Sequence, residues 1–354
     1  MRLYIAAFIY ILFSCPHLKV SGQEEKDVLS FRVLSYNVEN LFDVKHDTLK
    51  NDYEYVGGAS GRYWTYRRYR KKLDAVARTI VAAGEWSFPA LVALCEVEND
   101  HVMRDLTHYS LLRKAGYRYV MTESPDERGI DVALLYRQHL FKLLSFQGVS
   151  VPPPKGRSRP TRDILHVSGL LLTGDTLDVL VCHFPSRFGG AKASEPYRLV
   201  AARVVRRLAD SLFRVRQYPQ LLVMGDLNDD PRSRCVREVL RVEDPPLEEA
   251  EQPLPDVLYH LLSRQASESR HKGTYKYKGI WEWIDHLIVS GNLLRRDAPL
   301  STNESRAKVV QLPFLLVEDE RYGGVQPFRT YNGMRYWGGY SDHLPVCVDF
   351  KLIY

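Results

Sequence analysis

The sequence predicts an α/β fold in which two half-sheets pack face to face with helices outside them. Two observations support this prediction: apolar strand-like runs alternate with segments of helical periodicity, and a proline-rich break, VSVPPPKGRSRPTRD (149–163), separates two similar strand–helix–strand halves. Each sheet would bury one face against the other. Strand ends from both halves should then meet at one rim of a single domain.

The first half begins with the predicted strand FRVLSYNV, followed by a helix over Tyr66–Ala83 whose apolar residues share one face. The run ALVALCEV is almost continuously apolar, which is typical of a strand buried on both faces. Helical periodicity returns over 102–115. YRYVMTES and DVALLYR are predicted strands on either side of a polar turn at 125–129.

The second half begins with ILHVSGLLLTGDTLDVLVCHF, a predicted β-hairpin that turns at Gly174 and Asp175. A basic amphipathic helix over 196–213 and the buried strand QLLVMGDL follow. The acidic, proline-rich RVEDPPLEEAEQPLP is expected to be a connector at the surface, and the glycine- and aromatic-rich stretch 313–339 is expected to form irregular loops. WIDHLIVS and SDHLPVCVDFKLI are the last two predicted strands.

Residues 1–22 have the pattern of a secretory signal peptide that is cut before Gln23. Arg2 precedes an apolar run of about ten residues, which is too short to span a bilayer as a helix. The sequence therefore predicts an exported protein, periplasmic, outer-membrane-associated or extracellular, with residues 23–354 as its one domain. The alternatives are a lipoprotein lipidated at Cys15 and an N-terminal anchor or buried strand. No later segment is long and apolar enough for a membrane helix.

The net charge of +6 falls to +4 when residues 1–22 are removed, because they hold Arg2 and Lys19 and no acid. This mild charge is not that of a dedicated duplex-binding protein, but it suits an anionic substrate that meets its countercharge at a bound metal. The four remaining cysteines have no CxxC spacing, which argues against a zinc–thiolate site. Their strand-like surroundings favour buried free thiols over disulfides.

Seven short segments place acidic, amide or imidazole side chains where an apolar strand ends: LSYNVEN, ALCEVEN, GIDVALLY, LVCHFPS, LVMGDLNDDP, WIDHLIVS and GGYSDHLPV. They carry Asn37, Glu96, Asp131, His183, Asp226, Asn228, Asp285, Asp342 and His343. Together they predict one site built from the ends of several strands. Carboxylates, amides and imidazoles without a nucleophilic Ser or Cys indicate phosphoester chemistry at a hard cation.

Asp226 and Asn228 would share one side of an extended backbone, where the carboxylate accepts a proton from water and the amide holds a phosphoryl oxygen. Glu96, at the end of a buried strand, is the predicted Mg²⁺ ligand, because this ion needs few protein oxygens and keeps several waters. Glu98 is the alternative ligand. Asn37 would ligate or orient the metal.

The imidazole of His343 would either stabilise negative charge on the phosphorane or take a proton from water. Asp285 would orient this imidazole, whereas His286 should face the other side of its strand and be structural. His183 could donate to a phosphate oxygen. For Asp131 a supporting role at the site and a purely structural role have equal weight.

Basic residues near these segments are candidates for substrate binding. Arg187 and Lys192 lie in the glycine-rich loop RFGGAK, which could contact phosphate. The run RYWTYRRYRKK (62–72), with Arg67 and Arg68 at its centre, interleaves aromatic and basic side chains in a way that suits a nucleic-acid backbone and its bases. The alternative is the solvated first part of a helix.

GDLN and SDHLP, in this order and with an IDH-type strand between them, resemble the motifs of the endonuclease/exonuclease/phosphatase superfamily, over roughly residues 30–353. SYNVENLFD and HFPSRFGG are most similar to secreted bacterial nuclease-like members. The resemblance implies a deoxyribonuclease I-like fold, a four-layer sandwich of two packed mixed β-sheets flanked by helices. It also implies one active site at the rim that uses Mg²⁺ or Mn²⁺, with Ca²⁺ as a further candidate.

The resemblance also implies residue roles where this sequence matches the family motifs. The implied catalytic residues are Asp226, Asn228, His343, Asp285 and His183. The implied metal ligands and their helpers are Glu96, Asn37 and Asp342. Whether Asp226 or His343 removes the proton from the attacking water stays open.

The sequence therefore predicts a secreted, divalent-metal-dependent nuclease that acts as a monomer. A phosphodiesterase or phosphatase of lipid headgroups or soluble phosphate esters is the second hypothesis, and a catalytically inactive binding protein is the third. The complete acid, amide and histidine set argues against inactivity, and RYWTYRRYRKK with the mild positive charge favours nucleic acid. The export signal and the chain's own loops, 241–270 and 313–339, argue against abasic-site repair.

Overall fold

Twenty strands and four α-helices form the protein, whose computed structural model describes residues 27–56, 61–247, 251–269 and 272–354. In chain order the strands are β1 (Val28–Leu41), β2 (Leu91–Val97), β3 (Arg118–Met121), β4 (Asp131–Tyr136), β5 (Phe141–Val149), β6 (Ile164–Leu171), β7 (Thr176–His183), β8 (Gln220–Asp226), β9 (Val242–Glu243), β10 (Leu258–His260), β11 (Tyr275–Tyr277), β12 (Ile280–Glu282), β13 (Asp285–Ser290), β14 (Leu300–Ser301), β15 (Ala307–Val309), β16 (Leu316–Glu318), β17 (Val325–Pro327), β18 (Tyr331–Asn332), β19 (Arg335–Tyr336) and β20 (Val346–Ile353). The helices are α1 (Tyr66–Ala83), α2 (Asp100–His108), α3 (Ala191–Val215) and α4 (Ser263–Glu268). These counts refer to the described residues.

Fourteen of these strands form two seven-stranded sheets that pack face to face. The first sheet has the order β14-β20-β1-β2-β4-β3, with β15 also on β20, and the second has the order β5-β6-β7-β8-β13-β10-β9. Both sheets are mixed, since β1 runs parallel to β2 and antiparallel to β20, and β8 runs parallel to β7 and antiparallel to β13. The predicted fold class is therefore confirmed.

Three apolar cores define four layers. The central core joins the inner faces of the two sheets, with Val33 and Leu91 from the first sheet and Val179 and Leu222 from the second. A second core lies between the first sheet and the pair α1 and α2, and a third lies between the second sheet and α3. The helices thus cover the outer faces, and the ends of strands from both sheets meet at one edge.

The predicted helix over Tyr66–Ala83 is confirmed in its bounds. The predicted helix over 102–115 is wrong as one element, because α2 ends at His108 and a separate turn follows over Leu111–Ala115. Ser110 causes the break: its hydroxyl accepts from the amide of Leu112 and donates to the carbonyl of Leu106, which competes with helix continuation.

Two further predictions of local structure need correction. The helix α3 begins at Ala191 rather than at Pro196, because the hydroxyl of Ser194 donates to the carbonyl of Gly190 and the first turn forms ahead of the proline. The stretch 313–339 is not irregular throughout, since it holds the hairpins β16–β17 and β18–β19. The hairpin predicted to turn at Gly174 is confirmed as β6–β7.

Several sequence predictions concern the termini and the thiols. The predicted signal peptide, with Cys15, lies outside the described residues. Within the part of the chain that is described, no helix has the length and apolar character needed to cross a membrane. The four cysteines of this part, Cys95, Cys182, Cys235 and Cys347, are buried free thiols, as predicted.

Candidate active site

Three neighbouring strands of the second sheet carry one polar residue each at the same level. His183 on β7 pairs in register with Asp226 on β8, which pairs in turn with Asp285 on β13. Leu222 and Met224 precede Asp226 by four and two residues and lie in the central core, so alternation directs the Asp226 side chain into the same gap between the sheets. We call the edge of this gap, where these strands end, the rim.

Asn37 reaches the rim from the first sheet by the same alternation, because Phe31 and Val33 on β1 face the central core. Its Nδ2 donates to Asp226 Oδ2 at 3.1 Å, which connects the two sheets. Its Oδ1 accepts from the amide of Glu39 at 3.0 Å, and this bond fixes the orientation of the side-chain amide.

A bulge in β2 turns Glu96 toward the rim. Val92 and Leu94 face the core under α1 and α2, so strict alternation would point Glu96 away from the rim. The register between β2 and β4 shifts at this residue, and Glu96 has a φ of 67°. Its carboxylate therefore accepts from the amide of Asn40 at 2.8 Å and from Asn37 Nδ2 at 3.3 Å.

Asn228 does not continue the extended strand, which corrects the sequence prediction. Its φ of 52° folds it back, so that its amide donates to Asp226 Oδ1 at 2.8 Å and its Nδ2 to Asp226 Oδ2 at 3.1 Å and to the carbonyl of Phe184 at 3.0 Å. Gly225 allows β7 and β8 to approach, because a Cβ there would lie 1.9 Å from the carbonyl oxygen of Cys182. Asp226 and Asn228 therefore come together because the backbone turns, and not because alternate residues of a strand share one face.

His343 comes from the segment just before β20 and pairs with Asp285. Its Nδ1 donates to Asp285 Oδ2 at 2.8 Å, and its Nε2 lies 3.9 Å from Asp226 Oδ2. The amide of His343 donates to the hydroxyl of Ser341, which donates to the carbonyl of Asn37 at 2.7 Å. Burial opposes protonation, but the charge and hydrogen bond of Asp285 raise the pKa of His343 well above its ordinary value. Burial raises the pKa of Asp226, and the charge of His343 opposes this rise.

His183 is the second imidazole at the rim. Its Nε2 lies 3.6 Å from Asp226 Oδ2 and 3.7 Å from Glu96 Oε1. Burial, and after it the charge of Arg162, lowers the pKa of His183 well below its ordinary value. The rim therefore holds one neutral imidazole, which can donate a hydrogen bond, and one imidazole held in its charged form by a carboxylate.

Asp342, predicted to assist the metal or the histidine, lies with its Oδ1 3.9 Å from His343 Nε2. Two neighbours of this pair were missed by sequence analysis. The ring of Tyr275 lies 4.9 Å from the imidazole of His343. The guanidinium of Arg329 bonds to Tyr275, and its Nε has no hydrogen-bond partner among the described residues. No local sequence signal separates these two residues from other loop aromatics and bases.

A buried pair of opposite charge was also missed. Lys72 of α1 is 2% exposed, and its Nζ lies 3.8 Å from Glu39 Oε2 and donates to Thr330 Oγ1 and to the carbonyl of Tyr340 at 2.5 and 2.6 Å. Glu39 accepts from the amides of Thr330 and Tyr331 at 2.6 and 3.3 Å. The pair therefore fastens the segment before β20 to the part of β1 that carries Asn37.

Two acidic candidates lie apart from the rim. Asp131 accepts from Thr122 Oγ1 and from the amide of Ser124 at 2.5 and 2.9 Å, which supports the structural alternative. Glu98 accepts from the amide of Asp43 at 2.6 Å, and burial raises the pKa of Glu98 to about 8. This geometry favours Glu96 over Glu98 as the metal ligand.

The loop after β7 brings Arg187 to the rim. Its Nε donates to the carbonyl of Asn228 at 3.0 Å, and its Nη1 pairs with Glu282 Oε1 at 2.5 Å, so part of its donor capacity is used within the protein. Lys192 is exposed in the first turn of α3. The roles of both in substrate binding stay predictions.

The run RYWTYRRYRKK holds the hairpin β18–β19. Arg62 lies over the ring of Tyr331 at 5.0 Å, and Arg68 lies over the ring of Tyr336 at 4.2 Å. The guanidinium of Arg68 also donates to the carbonyl of Arg62 at 2.6 Å. Arg68 therefore has intramolecular partners on two sides, whereas Arg67 is exposed. The aromatic–basic pattern reflects packing at least in part, although a nucleic-acid contact by Arg67 stays a prediction.

Behind Asn228, two buried histidines form a chain of hydrogen bonds. The amide of Leu262 donates to His260 Nδ1 at 3.0 Å, His260 Nε2 lies 2.7 Å from His286 Nδ1, and His286 Nε2 lies 2.9 Å from the carbonyl oxygen of Asp229. The amide at one end and the carbonyl at the other require both rings to be neutral and to donate through Nε2. The predicted structural role of His286 agrees with this position.

The hydrogen bonds through His260 and His286 predict that the stability of the folded protein depends on pH. Burial lowers the pKa of His260 well below its ordinary value, so the unfolded protein binds a proton at this residue more readily than the folded protein does. The stabilisation of the folded state by neutral His260 is therefore complete above about pH 6.5 and is lost as the pH falls. Relative to His260→Leu, the wild-type free energy of unfolding should decrease by about 1.4 kcal/mol between pH 7.5 and pH 5.5. Urea unfolding at both pH values measures this difference, and a difference that does not change with pH would contradict the neutral chain.

The oxygen donors at the rim fit a hard cation. Among the described residues no group of three or more His, Cys, Asp or Glu side chains is arranged to hold a metal. Mg²⁺ does not require such a group, because it binds through one or two carboxylates and keeps several waters. The carboxylate of Glu96 is partly exposed at the rim and is held by Asn37 and Asn40, so it fits a water-rich site. In this arrangement Asn37 orients Glu96 with its amide nitrogen.

Carboxylates, amides and two imidazoles at one rim of two packed mixed sheets suit the hydrolysis of phosphoesters. Residues 32–351 match the Endonuclease/Exonuclease/phosphatase family. The chain belongs to this family. Among curated protein sequences no significant match was found.

Solved structures show the same fold at low sequence identity. An endonuclease/exonuclease/phosphatase family protein from Bacteroides thetaiotaomicron has 18% identity and a TM-score of 0.55, over 92% of this chain and 96% of that one. The human Nocturnin catalytic domain with bound sulfate has 16% identity and a TM-score of 0.51, over 92% and 97%. D. rerio TDP2 complexed with a single-strand DNA product has 14% identity and a TM-score of 0.53, over 91% and 98%.

Proposed function

We propose that the protein is a divalent-metal-dependent nuclease that hydrolyses phosphodiester bonds by in-line attack of water. The observation that carries this proposal is the position of Asp226. One carboxylate oxygen, Oδ2, accepts from Asn37 and Asn228 and lies within 4 Å of both His183 and His343. Such a group of donors and one acceptor suits a water molecule and a phosphoryl group more than a passive binding cleft.

Glu96 would hold the divalent ion, with Asn37 and Asn40 fixing its carboxylate. When bound, the ion would stabilise negative charge on a phosphoryl oxygen. Asp226 holds the attacking water and accepts its proton or passes it to its neighbours. Asn228, fixed by the carbonyl of Phe184, keeps Asp226 in one orientation.

The two imidazoles serve the charge that develops on the phosphoryl group. His183 donates from Nε2 to a phosphoryl oxygen, since burial keeps its ring neutral. His343, held by Asp285 at 2.8 Å, presents Nε2 to the same region and stabilises the negative charge of the transition state.

A groove beside the rim supports nucleic acid as the substrate. It has a volume of about 820 Å³ and lies between the hairpin β11–β12 and the segment that holds β16 to β19. Aromatic and basic side chains line most of it, among them Tyr277, Lys278, Arg321, Tyr322 and Trp337, together with the acids Glu318, Asp319 and Glu320. Single-stranded nucleic acid is usually bound by stacking of its bases on aromatic rings while cationic side chains hold its phosphate backbone. The single-strand DNA product bound to D. rerio TDP2 is a further argument for this substrate class.

A substrate panel tests the proposed function. The purified protein, without residues 1–22, is incubated with Mg²⁺ and with single-stranded DNA, double-stranded DNA, RNA, a phospholipid with a phosphorylated headgroup, a sugar phosphate and bis(p-nitrophenyl) phosphate. We expect cleavage of nucleic acid and of the chromogenic diester, and loss of both in chelator. Efficient release from the phospholipid or sugar phosphate with intact nucleic acid would replace the nuclease by the second hypothesis.

The metal ligand gives a separate prediction. Glu96→Gln should raise the Mg²⁺ concentration that gives half-maximal activity by about tenfold or more, because a neutral oxygen replaces a charged one. The measurement is the initial rate against Mg²⁺ concentration. Glu98→Gln is the control and should leave the requirement unchanged, since its carboxylate serves the amide of Asp43. A shift in the control but not in Glu96→Gln would assign the metal to Glu98.

Export is part of the proposal and rests on the sequence of residues 1–22. The protein acts outside the cytoplasm after this segment is removed. Fractionation of cells that produce the full chain, with N-terminal sequencing of the product, tests this point. Retention of the N-terminal methionine on a cytoplasmic product would contradict it, and lipid on Cys15 would support the lipoprotein alternative.

A further inference from the structure

A small pocket lies beside the rim on the side of His183. It has a volume of about 240 Å³ and is formed by the connection between β5 and β6 and by the loop between β7 and α3. The residues that matter for its chemistry are Arg157, Arg159, Thr161, Arg162, Phe188 and Tyr197. It is separate from the aromatic and basic groove on the His343 side of the rim.

The pocket is cationic. Three arginines line it, and none of its described lining residues is acidic. Arg162 is buried and partly neutralised by Asp126 at 3.2 Å. Arg157 and Arg159 are exposed; Arg157 Nη1 donates to the carbonyl of Ala193 at 3.2 Å, and the other donors of both guanidinium groups are open to a ligand. Arg157 is held in place by the ring of Tyr197, 5.2 Å from its guanidinium carbon.

A buried hydroxyl in the pocket also lacks a partner. Thr161 is 4% exposed, and its Oγ1 has no hydrogen-bond partner among the described residues. A buried hydroxyl is normally satisfied, so Thr161 Oγ1 keeps a donor that a group bound in the pocket can use. The first turn of α3 adds donors, because its N-cap Gly190 supplies no side-chain cap and the first amides of a helix have no partner within it.

Hydrogen bonds connect the pocket directly to the part of the rim that carries His183. Arg162 donates from Nε to the carbonyl of His183 at 3.2 Å and from Nη2 to the carbonyl of Phe184 at 2.6 Å. The next residues of this loop, Pro185 and Ser186, line the pocket. One extended substrate can therefore place one phosphoryl group at the rim and another in the pocket.

We propose that this pocket is a second anion subsite, which binds a phosphoryl group of the substrate other than the one that is attacked. The proposal rests on the proposed phosphodiesterase function and narrows its substrate class. Arg157 and Arg159 pair with the phosphoryl oxygens, and the hydroxyl of Thr161 donates to one of them. Phe188, which is 81% exposed, offers a ring to the attached sugar or base. The substrate thus carries at least two phosphoryl groups, as an oligonucleotide does.

The test compares two substrates and two double variants. Arg157→Ala/Arg159→Ala should raise the KM for a single-stranded oligonucleotide about tenfold or more, because charge-assisted hydrogen bonds to phosphate are lost. It should leave hydrolysis of bis(p-nitrophenyl) phosphate unchanged, since that diester has one phosphoryl group. The dependence of log affinity on log salt should become shallower by about 1 to 2. The control, Arg207→Ala/Arg214→Ala, removes the same charge from exposed positions of α3 and should change neither substrate.

Binding without catalysis separates this inference from the proposed function. Fluorescence anisotropy of a labelled oligonucleotide in chelator reports the pocket independently of turnover. Thr161→Val should weaken this binding severalfold while the melting temperature stays unchanged or rises, because the unpaired hydroxyl is removed. Binding and salt dependence equal to wild type in the arginine and threonine variants would overturn the second subsite. Failure of the wild type to hydrolyse the chromogenic diester would instead overturn the proposed function.

Discussion

Replacing Asp226 with asparagine should lower kcat by at least about 10²-fold, the scale of lost acid–base catalysis. The two oxygens of Asp226 accept from Asn37 and from both the amide and the side chain of Asn228. An asparagine would present an NH₂ group to at least one of these donors. The water would then lose both its proton acceptor and its fixed position.

Initial rates at saturating Mg²⁺ measure this effect, with circular dichroism to show that the fold is retained. Asp297→Asn makes the same chemical change at an exposed surface position and should leave kcat unchanged. A kcat for Asp226→Asn within a few-fold of wild type would remove Asp226 from the mechanism.

His343→Ala is the second change with a large expected effect, again at least about 10²-fold in kcat. The imidazole donates to Asp285 and directs Nε2 toward Asp226 Oδ2, so its removal takes one charged donor from the region of the transition state. His139→Ala, at an exposed position, is the control.

A double-mutant cycle with Asp285, the hydrogen-bond partner of His343, tests whether the two residues act as one unit. Asp285 acts through the imidazole, so Asp285→Asn in the His343→Ala background should cost little beyond the single change. The four kcat values of this double-mutant cycle measure the coupling. Independent, multiplicative losses would show that Asp285 has a role of its own and that the pair is not one unit.

Much of the fold and part of the site follow from the periodicity of the sequence. The apolar residues of β1 and β8 alternate between two cores, and the same alternation carries Asn37 and Asp226 to the gap between the sheets. His183 and Asp285 obey the same rule on β7 and β13. For these residues a pattern of period two is sufficient information.

Glu96 and Asn228 show where periodicity fails. Alternation would bury Glu96 under α1, and it would place Asn228 on an extended strand, whereas a bulge and a turn determine their real positions. Both depend on a single backbone angle that no pattern of polar and apolar residues specifies. The strand-end positions and the resemblance to a family both pointed to these two residues, but neither predicted the bulge and the turn that position them.

Contacts between distant segments were the second class of feature beyond sequence reasoning. Glu39 binds the amide of Thr330, 291 positions away, and Lys276 pairs with Asp319 in the groove at 2.7 Å. Contacts between loop residues that are so far apart in the sequence produce no periodic pattern of polar and apolar residues. In the run RYWTYRRYRKK the sequence pattern is clear but points to a different role. Its composition suits nucleic-acid binding, whereas in the structure Arg62 and Arg68 pack on the rings of Tyr331 and Tyr336.

The backbone around the rim has a consequence for how this enzyme can evolve. Within the described chain, four of the eight non-glycine residues with positive φ are Glu39, Asn40, Glu96 and Asn228. Glycine would relax each of these positions, yet at Glu96 and Asn228 it would delete a side chain proposed to act in catalysis, and at Glu39 it would delete the buried partner of Lys72. Selection for activity must therefore keep residues that selection for stability would replace. A search for more thermostable variants should converge on these positions and yield robust proteins that no longer turn over substrate.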